Sequence, residues 1–345
     1  MIEINKKLAF SYKKPPLIIA EISGNHNQKK KIFLQLIDSA FKNGADLVKI
    51  QSYEPKDITL NIKNKNFKIN HGIWKNSYLW DLYKKAHTPF AWHPEAFKLA
   101  KKYNGVVFSS PFSIRSVDLL EKFNVPLYKV ASFEITDLKL INYIASKKKP
   151  IILSTGMAKI SEIKSAIKEI NKYHKKIIIL HCISNYPTHL KDINLRRIDK
   201  LKKIFKKYFI GLSDHTDEIY SSIASLPFGI VAIEKHFKLT DKDISPDTKF
   251  SITPEKLRLL KKVNLEIFQS LKKNNTPKIN KESLMLRRSI FTIKKIYKNE
   301  KINKNNIDTF RPNIGIPASE YFKIIGKKAK FDLPAKIALK KNHLK

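Results

Sequence analysis

The sequence has few cysteines, glycines and acidic residues, and it contains no long apolar run. The single cysteine, Cys182, excludes an intrachain disulfide and fits a reducing cytoplasm. No apolar run reaches the length of a membrane span, and the start, Met1–Tyr12, lacks the apolar core of a signal peptide. We therefore expect a cytoplasmic protein with no membrane association. Its 345 residues and 42% apolar content suit one large globular domain and a small one.

Acidic residues number 30 against 68 basic ones, which gives a formal net charge of +38. Such an excess is typical of nucleic-acid-binding proteins. Only seven of the basic residues are arginines, however, and the lysines are spread along the whole chain without a dense stripe interleaved with aromatics. We therefore predict no nucleic-acid partner, although the positive field would attract anionic substrates to a cleft.

Short apolar runs rich in β-branched residues alternate eight times with segments of helical periodicity. Near-continuous apolar strands joined by helical crossovers indicate an all-parallel sheet. Eight repeats favour a closed (β/α)8 TIM barrel over an open doubly wound sheet. We assign this α/β barrel to residues 17–270, after an N-terminal hairpin or extension in residues 1–16. A polar run then predicts a linker over residues 271–284, and residues 285–345 form a small β-rich domain.

The seventh and eighth predicted strands each end near a histidine, His215 and His236. In a parallel barrel both imidazoles would emerge side by side at the C-terminal ends of the strands, the face that carries barrel active sites. Two adjacent histidines facing a cleft form half of a metal site with open positions. A lone histidine would more simply cap its strand, but a matched pair favours the metal site.

Two lysines, Lys49 and Lys129, lie within apolar strands, where an unpaired ammonium would be costly. They would point outward to solvent, form a Schiff base as in aldolases, or hold an anionic ligand. The other strand ends carry carboxylates, hydroxyls, an amide and a histidine: Glu21, Gln51, Ser110, Ser132, Glu134, Ser154, His181 and Ser213. Lysines and serines on neighbouring strands suit a phosphate or phosphate-plus-carboxylate ligand, and Gly156 would let backbone N–H groups approach it.

Eight motifs in chain order cover nearly the whole barrel: Ala20–His26, Val48–Gln51, Phe108–Phe112, Tyr128–Glu134, Leu153–Met157, His181–Thr188, Gly211–His215 and Glu234–Phe237. In these motifs the chain resembles the sialic acid synthase family, whose members condense phosphoenolpyruvate with an amino sugar. The tail, with Arg311, Pro312 and Gly315, resembles the antifreeze-like (SAF) domain of that family. Several segments are most similar to the pseudaminic acid synthases within it: His71–Trp74, Leu82–Tyr83, Thr88–Phe90, Trp92–His93 and Ser245–Ser251.

The resemblance implies a transferase that joins phosphoenolpyruvate, 2,4-diacetamido-2,4,6-trideoxy-L-altropyranose and water to give pseudaminic acid and phosphate by C–O cleavage. N-acetylneuraminate and legionaminic acid synthases share this chemistry and remain alternatives. A Schiff-base aldolase that uses Lys49 or Lys129 is the alternative from another class.

The resemblance also assigns the site residues. It implies a divalent metal on His215 and His236, with Mn²⁺ favoured and Mg²⁺ or Co²⁺ as alternatives. Phosphoenolpyruvate is then held by Lys49, Ser110, Lys129, Ser132, Ser154 and Ser213. The open-chain sugar lies near Glu21, Asn25, Gln51, Glu134, Tyr186 and Asp247. Glu134 and Glu234 are both candidates for proton transfer. A domain-swapped homodimer is implied as well, in which the small domain of one subunit supplies Arg311 to the barrel of the other.

Overall fold

A computed structural model describes residues 1–272 and 279–345, and the chain divides after Lys272 into two compact units. Eight strands of the first unit form a barrel: β3 (Leu17–Glu21), β4 (Leu47–Ser52), β5 (Val106–Pro111), β6 (Tyr128–Val130), β7 (Ile151–Ser154), β8 (Ile177–Cys182), β9 (Phe209–Asp214) and β10 (Ala232–His236). All neighbouring strands are parallel, they follow chain order, and β10 closes the ring against β3. The predicted (β/α)8 barrel is confirmed.

Helix α2 (Leu79–Ala86) lies in the connection between β4 and β5, at the C-terminal ends of the strands. The other helices cover the outside of the barrel: α1 (Lys30–Lys42), α3 (His93–Lys102), α4 (Ile114–Glu121), α5 (Leu138–Ser146), α6 (Ile160–Asn171), α7 (Arg197–Ile204), α8 (Tyr220–Ser225) and α9 (Pro254–Ser270). Their apolar residues follow helical spacing, as in α1, where Phe33, Leu36, Ile37 and Ala40 are buried. These faces pack on the sheet in the largest apolar cluster. Within the described residues, no helix has the length and apolar character needed to span a membrane.

An N-terminal hairpin lies at one end of the barrel. Its strands, β1 (Ile2–Glu3) and β2 (Ala9–Phe10), pair antiparallel. Phe10 is fully buried in an apolar cluster with residues from the N-terminal ends of the barrel strands, including Leu17 and Val106. Because apolar side chains fill this end of the barrel, we expect a polar ligand inside the barrel to bind at the opposite, C-terminal ends of the strands.

The second unit contains two short antiparallel strands, β11 (Ser289–Thr292) and β12 (Ile307–Phe310), and two short helices, α10 (Lys281–Met285) and α11 (Tyr321–Ile324). It has its own apolar cluster, formed by Ile290, Ile296, Ile302, Ile307, Ile316, Ile324, Ala329, Leu333 and Leu339. The predicted small domain with antiparallel strands is confirmed.

Residues 281–284 of the predicted linker, which spans residues 271–284, belong to a helix. Helix α10 begins there, because the Asn280 side chain accepts a hydrogen bond from the Glu282 N–H at 2.9 Å and caps the first turn. Residues 273–278 of that linker lie outside the described residues.

Gly211 allows strands β8, β9 and β10 to pack closely inside the barrel. A Cβ at this position would lie 2.6 Å from Leu180 Cδ2 and 2.8 Å from the carbonyl oxygen of Ala232. The carbonyl oxygen of Ala232 is a backbone atom of strand β10 and cannot move aside as a flexible side chain could. We therefore expect Gly211→Ala to lower the free energy of unfolding by about 1–3 kcal/mol. Urea denaturation measures this difference. The control, Lys164→Ala on the exposed side of α6, should stay within about 0.5 kcal/mol of the wild type; equal stability of Gly211→Ala would contradict the packing argument.

Candidate active site

A cavity of about 470 Å³ lies at the C-terminal ends of the barrel strands. Thirteen of the sixteen predicted site residues line it: Lys49, Gln51, Ser110, Lys129, Ser132, Glu134, Ser154, Tyr186, Ser213, His215, Glu234, His236 and Asp247. They come from all the strand ends between β4 and β10. Residues two apart on one strand, such as Lys49 and Gln51, share the inner face of the barrel, because side chains alternate along a strand. Barrel closure therefore gathers residues that are far apart in the chain.

Glu234 on β10 binds both interior lysines. Its Oε1 lies 3.0 Å from Lys49 Nζ and 3.0 Å from Lys129 Nζ, and it accepts a hydrogen bond from Ser213 Oγ at 3.0 Å. Lys49 Nζ also lies 3.0 Å from Oε2 of Glu21. All four charged side chains are at most 4% exposed. The lysines thus point into the barrel and are paired, rather than reaching outward to solvent.

Burial and pairing act in opposite directions on the charges of this cluster. Burial lowers the pKa of Lys49, but Glu21 and Glu234 outweigh it and raise that pKa above its ordinary value. Burial raises the pKa of Glu234, but Lys129 and Lys49 outweigh it and hold that pKa well below the usual range. Burial lowers the pKa of Lys129 to about 8 despite the attraction of Glu234. Glu234 is therefore a fixed anion, and Lys129 is the more easily deprotonated amine.

Hydrogen-bond donors remain free on the floor of the cavity. Among the residues that the structure describes, the buried hydroxyls Ser110 Oγ and Ser154 Oγ have no hydrogen-bond partner. An ammonium has three N–H donors, and within that same set Lys129 donates only to Glu234. Unpaired buried donors are costly, so their convergence indicates that a polar ligand completes them.

Gly156 has a different role from the one predicted. Its N–H donates to Ser132 Oγ at 3.1 Å, and a Cβ on it would lie 1.9 Å from Ser184 Oγ. The N–H is therefore already used, and the glycine is required for close packing against Ser132 and Ser184. Ser132 Oγ also lies 3.0 Å from Cys182 Sγ, which leaves this hydroxyl less free than Ser110 or Ser154.

The imidazoles of His215 and His236 lie side by side, with ring centroids 5.4 Å apart. His215 Nδ1 lies 2.8 Å from the carbonyl oxygen of Ile183, and as the donor of that bond it leaves Nε2 with a lone pair. His236 Nδ1 is buried without a partner among the described residues. Burial lowers the pKa of His215 to about 4, and burial together with His215 lowers that of His236 well below its ordinary value. Both rings are therefore neutral at pH 7, as metal ligation requires.

Aromatic rings form the wall beside this histidine pair. Tyr186 lies 4.4 Å from His215 and Phe250 lies 4.7 Å from His236, measured between ring centroids. Trp74 lies 5.5 Å from Tyr186, and its Nε1 donates to the carbonyl oxygen of Pro246 at 2.9 Å. These rings exclude water from one side of the cavity, which strengthens electrostatic interactions inside it.

Glu134 follows β6 on a short 3-10 turn, Ser132–Glu134. Its Oε2 is buried and has no hydrogen-bond partner within the described parts of the chain. Burial raises its pKa to about 7. A carboxyl with this pKa is present in both protonation states near neutral pH, which suits proton transfer.

Three predicted site residues do not line the cavity. Glu21 is fully buried, where it pairs with Lys49 and accepts a hydrogen bond from Gln51 Nε2 at 3.1 Å. Asn25 is also fully engaged: its amide donates to the carbonyl oxygen of Phe237 at 2.8 Å and accepts from Ser245 Oγ at 2.5 Å. Both side chains therefore support the wall rather than face the cavity. Arg311 lies in the second unit and is exposed.

A sequence model of the NeuB family matches residues 36–276. This chain belongs to the NeuB family. The pseudaminic acid synthase of Helicobacter pylori is 41% identical over 332 residues, which cover 94% of this chain and 96% of that protein. The N,N'-diacetyllegionaminic acid synthase of Campylobacter jejuni is 36% identical over 91% of this chain and 96% of that protein.

A solved structure of a NeuB relative has the same fold. The N-acetylneuraminic acid (sialic acid) synthetase of Leptospira borgpetersenii superposes with a TM-score of 0.70 at 28% identity, over 79% of this chain and 90% of that one. The resemblance to the sialic acid synthases, which the barrel motifs indicated, is confirmed.

Sequence reasoning missed two aromatic residues of this NeuB site, Tyr53 and Phe112, which both line the cavity. Their ring centroids lie 5.1 Å apart. Each lies two positions after a predicted site residue, Gln51 and Ser110, so the alternation of side chains along a strand would have placed it on the same face. The signal was present, but both residues lie one position past the end of their strand, since β4 ends at Ser52 and β5 at Pro111.

Glu234→Gln tests the charge cluster. The substitution leaves two buried ammonium groups with one carboxylate, Glu21, and we expect it to lower the free energy of unfolding by about 3–5 kcal/mol. Urea denaturation at pH 7 measures the effect. Glu266→Gln is the control, because its ion pair with Lys262 is 3.9 Å long and exposed, and should cost less than about 1 kcal/mol. Similar losses in the two variants would show that Glu234 does not hold the lysines.

Proposed function

We propose that this chain is a pseudaminic acid synthase that condenses phosphoenolpyruvate with an open-chain 2,4-diacetamido-2,4,6-trideoxy-L-altrose and water. The observation that carries the proposal is the set of unpaired donors on Lys129, Ser110 and Ser154 beside two neutral imidazoles in one cavity. The acceptor sugar is proposed from the pseudaminic acid synthases among the relatives, of which the protein from Helicobacter pylori covers nearly the whole chain.

The floor of the cavity suits phosphoenolpyruvate. This ligand carries a phosphate and a carboxylate, and both form their strongest hydrogen bonds with charged donors and hydroxyls. Lys129, Ser110 and Ser154 supply such donors. Lys49 is held by Glu21 and Glu234 on two of its three donors and contributes its remaining one.

His215 and His236 suit a divalent cation. Both rings are neutral, one has its tautomer set by the Ile183 carbonyl oxygen, and both face the cavity. Such a backbone contact to the second ring nitrogen is the usual support of a metal-ligating histidine. We propose that these two residues hold Mn²⁺, with Mg²⁺ or Co²⁺ as alternatives. When bound, the cation supplies Lewis-acid polarisation of an oxygen of the substrate.

The chain's own residues then act on charge and protons. The C2=C3 π pair of phosphoenolpyruvate forms a bond from C3 to the aldehyde carbon of the sugar, and positive charge develops at C2. The C=O π pair of the aldehyde moves onto its oxygen, which takes up a proton. Water adds at C2 and releases a proton. The bond between C2 and the bridging oxygen then breaks, phosphate leaves with the bonding electrons, and the C2 hydroxyl loses its proton to give the ketone. Lys129, Ser110 and Ser154 stabilise the departing anion, because donors fixed in a water-poor site need no reorganisation.

Glu134 is the better candidate for accepting the proton from water. Glu234 is bound by two lysines and Ser213, and its depressed pKa makes it a poor base. Glu134 lines the cavity, has an unpaired buried oxygen, and has a pKa of about 7. We therefore assign the proton acceptor to the ionised form of Glu134.

The remaining parts of the proposal come from the family resemblance. The second unit is an antifreeze-like (SAF) domain, and the active protein is a domain-swapped homodimer in which Arg311 is a substrate-binding residue. Sedimentation equilibrium tests the dimer directly. Arg311→Ala tests the arginine, because loss of a substrate contact should raise the KM for phosphoenolpyruvate while leaving the dimer intact.

The pH dependence of activity tests Glu134. Because only its ionised form accepts a proton, kcat/KM should rise with pH through about 7, and it should fall above about 8 as Lys129 loses the proton that binds the anionic substrate. Glu134→Gln should lose about 100-fold or more in kcat and lose this rise as well. Steady-state phosphate release between pH 5.5 and 9 measures both. A variant that kept the wild-type inflection would show that another group controls it.

The reaction itself is tested with phosphoenolpyruvate that carries ¹⁸O in its bridging oxygen. C–O cleavage sends the label into phosphate, which phosphorus NMR detects, whereas P–O cleavage leaves it in the sugar acid. We expect labelled phosphate, with kcat/KM at least about tenfold higher for the L-altro acceptor than for N-acetylmannosamine or the legionaminic acid precursor. Preference for another sugar would reassign the acceptor.

Inactivation by borohydride with pyruvate would instead indicate a Schiff-base aldolase. The lowered pKa of Lys129 would then explain how its amine is neutral enough to attack a carbonyl.

A further inference from the structure

A second buried ion pair lies on the outer face of the barrel, directly behind the histidine pair. Asp214 on β9 and Lys235 on β10 are register partners, and Lys235 Nζ lies 3.3 Å from Asp214 Oδ2. Neither side chain has any exposed surface. Each residue directly precedes one of the two histidines, His215 and His236. The function proposed above does not use this pair.

Lys235 contacts the chain on both sides of His215. Besides Asp214, which precedes the histidine, its Nζ donates to the carbonyl oxygen of Thr216, which follows it, and lies 3.2 Å from Thr216 Oγ1. The Thr216 N–H and hydroxyl both donate to Asp214 Oδ1, at 2.9 and 2.8 Å. Lys235, Asp214 and Thr216 therefore all contact one another, and two of them flank His215 in the chain. We call these three residues the clasp.

Helix α8 supports the clasp from outside the barrel. Ser221 Oγ donates to Asp214 Oδ2 at 2.6 Å, and Ser222 Oγ donates to the same oxygen at 2.5 Å. Asp214 therefore accepts four hydrogen bonds besides its ion pair. These bonds and Lys235 hold the pKa of Asp214 below its usual range even though burial acts to raise it.

Stability alone does not explain so many buried polar groups. A buried ion pair is often no more stabilising than apolar side chains of the same size, because desolvation offsets the attraction. Apolar outward residues serve well elsewhere on these strands, such as Leu212 and Ile233. What an ion pair adds is a fixed geometry. Since side chains alternate between the two faces of a strand, fixing the clasp outside fixes His215 and His236 inside.

We propose that the clasp is a positioning device for the histidine pair, which sets the separation of the two imidazoles and thereby the affinity for the divalent cation. The inference rests on the metal role proposed above. Backbone contacts hold the same two residues in addition: the His215 carbonyl oxygen accepts from the Thr188 N–H at 2.9 Å, and the His236 carbonyl oxygen accepts from the Ile252 N–H at 2.8 Å. The clasp links the two histidine segments through side chains on the outer face of the barrel, as Ser213 and Glu234 do on the inner face.

The test is Mn²⁺ binding by the metal-free full-length chain without substrates, followed by the electron paramagnetic resonance signal of free Mn²⁺. The variant Asp214→Asn/Lys235→Met removes both charges together, so that no unpaired charge stays buried. We expect its Kd for Mn²⁺ to rise about 10–100-fold, as for other partners that orient metal ligands. Asp46→Asn/Lys261→Met is the matched control, because that ion pair, at 2.6 Å, also lies outside the barrel but far from the histidines in the chain. Its Kd should equal that of the wild type.

Thermal unfolding separates positioning from stability. Both double variants are expected to lower the Tm, but only the clasp variant should change the Kd. A folded clasp variant with the wild-type Kd would overturn the proposal. If that variant does not fold, Ser222→Ala removes one support of Asp214, and an unchanged Kd there would likewise overturn it. If the wild-type chain itself binds no Mn²⁺, the metal assignment falls together with the clasp, whereas unchanged binding in the clasp variant refutes the clasp alone.

Discussion

The site depends on one carboxylate oxygen, Glu234 Oε1, which binds Lys49 and Lys129 at the same distance. Two ammonium groups cannot be buried side by side without an anion between them. The three residues come from β10, β4 and β6, so this contact also ties together strands that are not neighbours in the barrel. The ion pairs of Glu234 that offset the cost of burying Lys49 and Lys129 therefore also fix the positions of these side chains on the floor of the cavity.

The same arrangement explains why a neutralised cluster still suits an anionic ligand. Charge is balanced inside the protein, but N–H donors are not used up, because an ammonium has three of them. Lys129 gives one to Glu234, and the hydroxyls of Ser110 and Ser154 are unpaired among the described residues. A ligand that brings its own negative charge then meets donors already held in place, at no cost in reorganisation.

Much of this could be predicted from the sequence. The period of apolar runs indicated the eight strands, and the polar residues at their ends indicated ten of the residues that line the cavity. The family resemblance added Tyr186, Glu234 and Asp247. The partners of the lysines could not be predicted, because which side chains meet across a closed barrel depends on strand tilt and register, not on spacing along the chain. The hydrogen-bond partners of Asn25 and Gly156, Phe237 and Ser132, could not be predicted for the same reason, because they lie on other strands or loops.

Strand β10 carries charged residues on both faces of its C-terminal end. Glu234 points inward to the lysines and Lys235 points outward to Asp214, so consecutive residues are buried in opposite directions, each with its own counter-charge. Local sequence preferences alone would not select this, since buried charges are expensive. Departures from such rules concentrate where function requires a fixed geometry. His215 and His236 lie at the same strand ends as these buried charges. Because burying the charges costs stability, we infer that the reaction requires the geometry they fix.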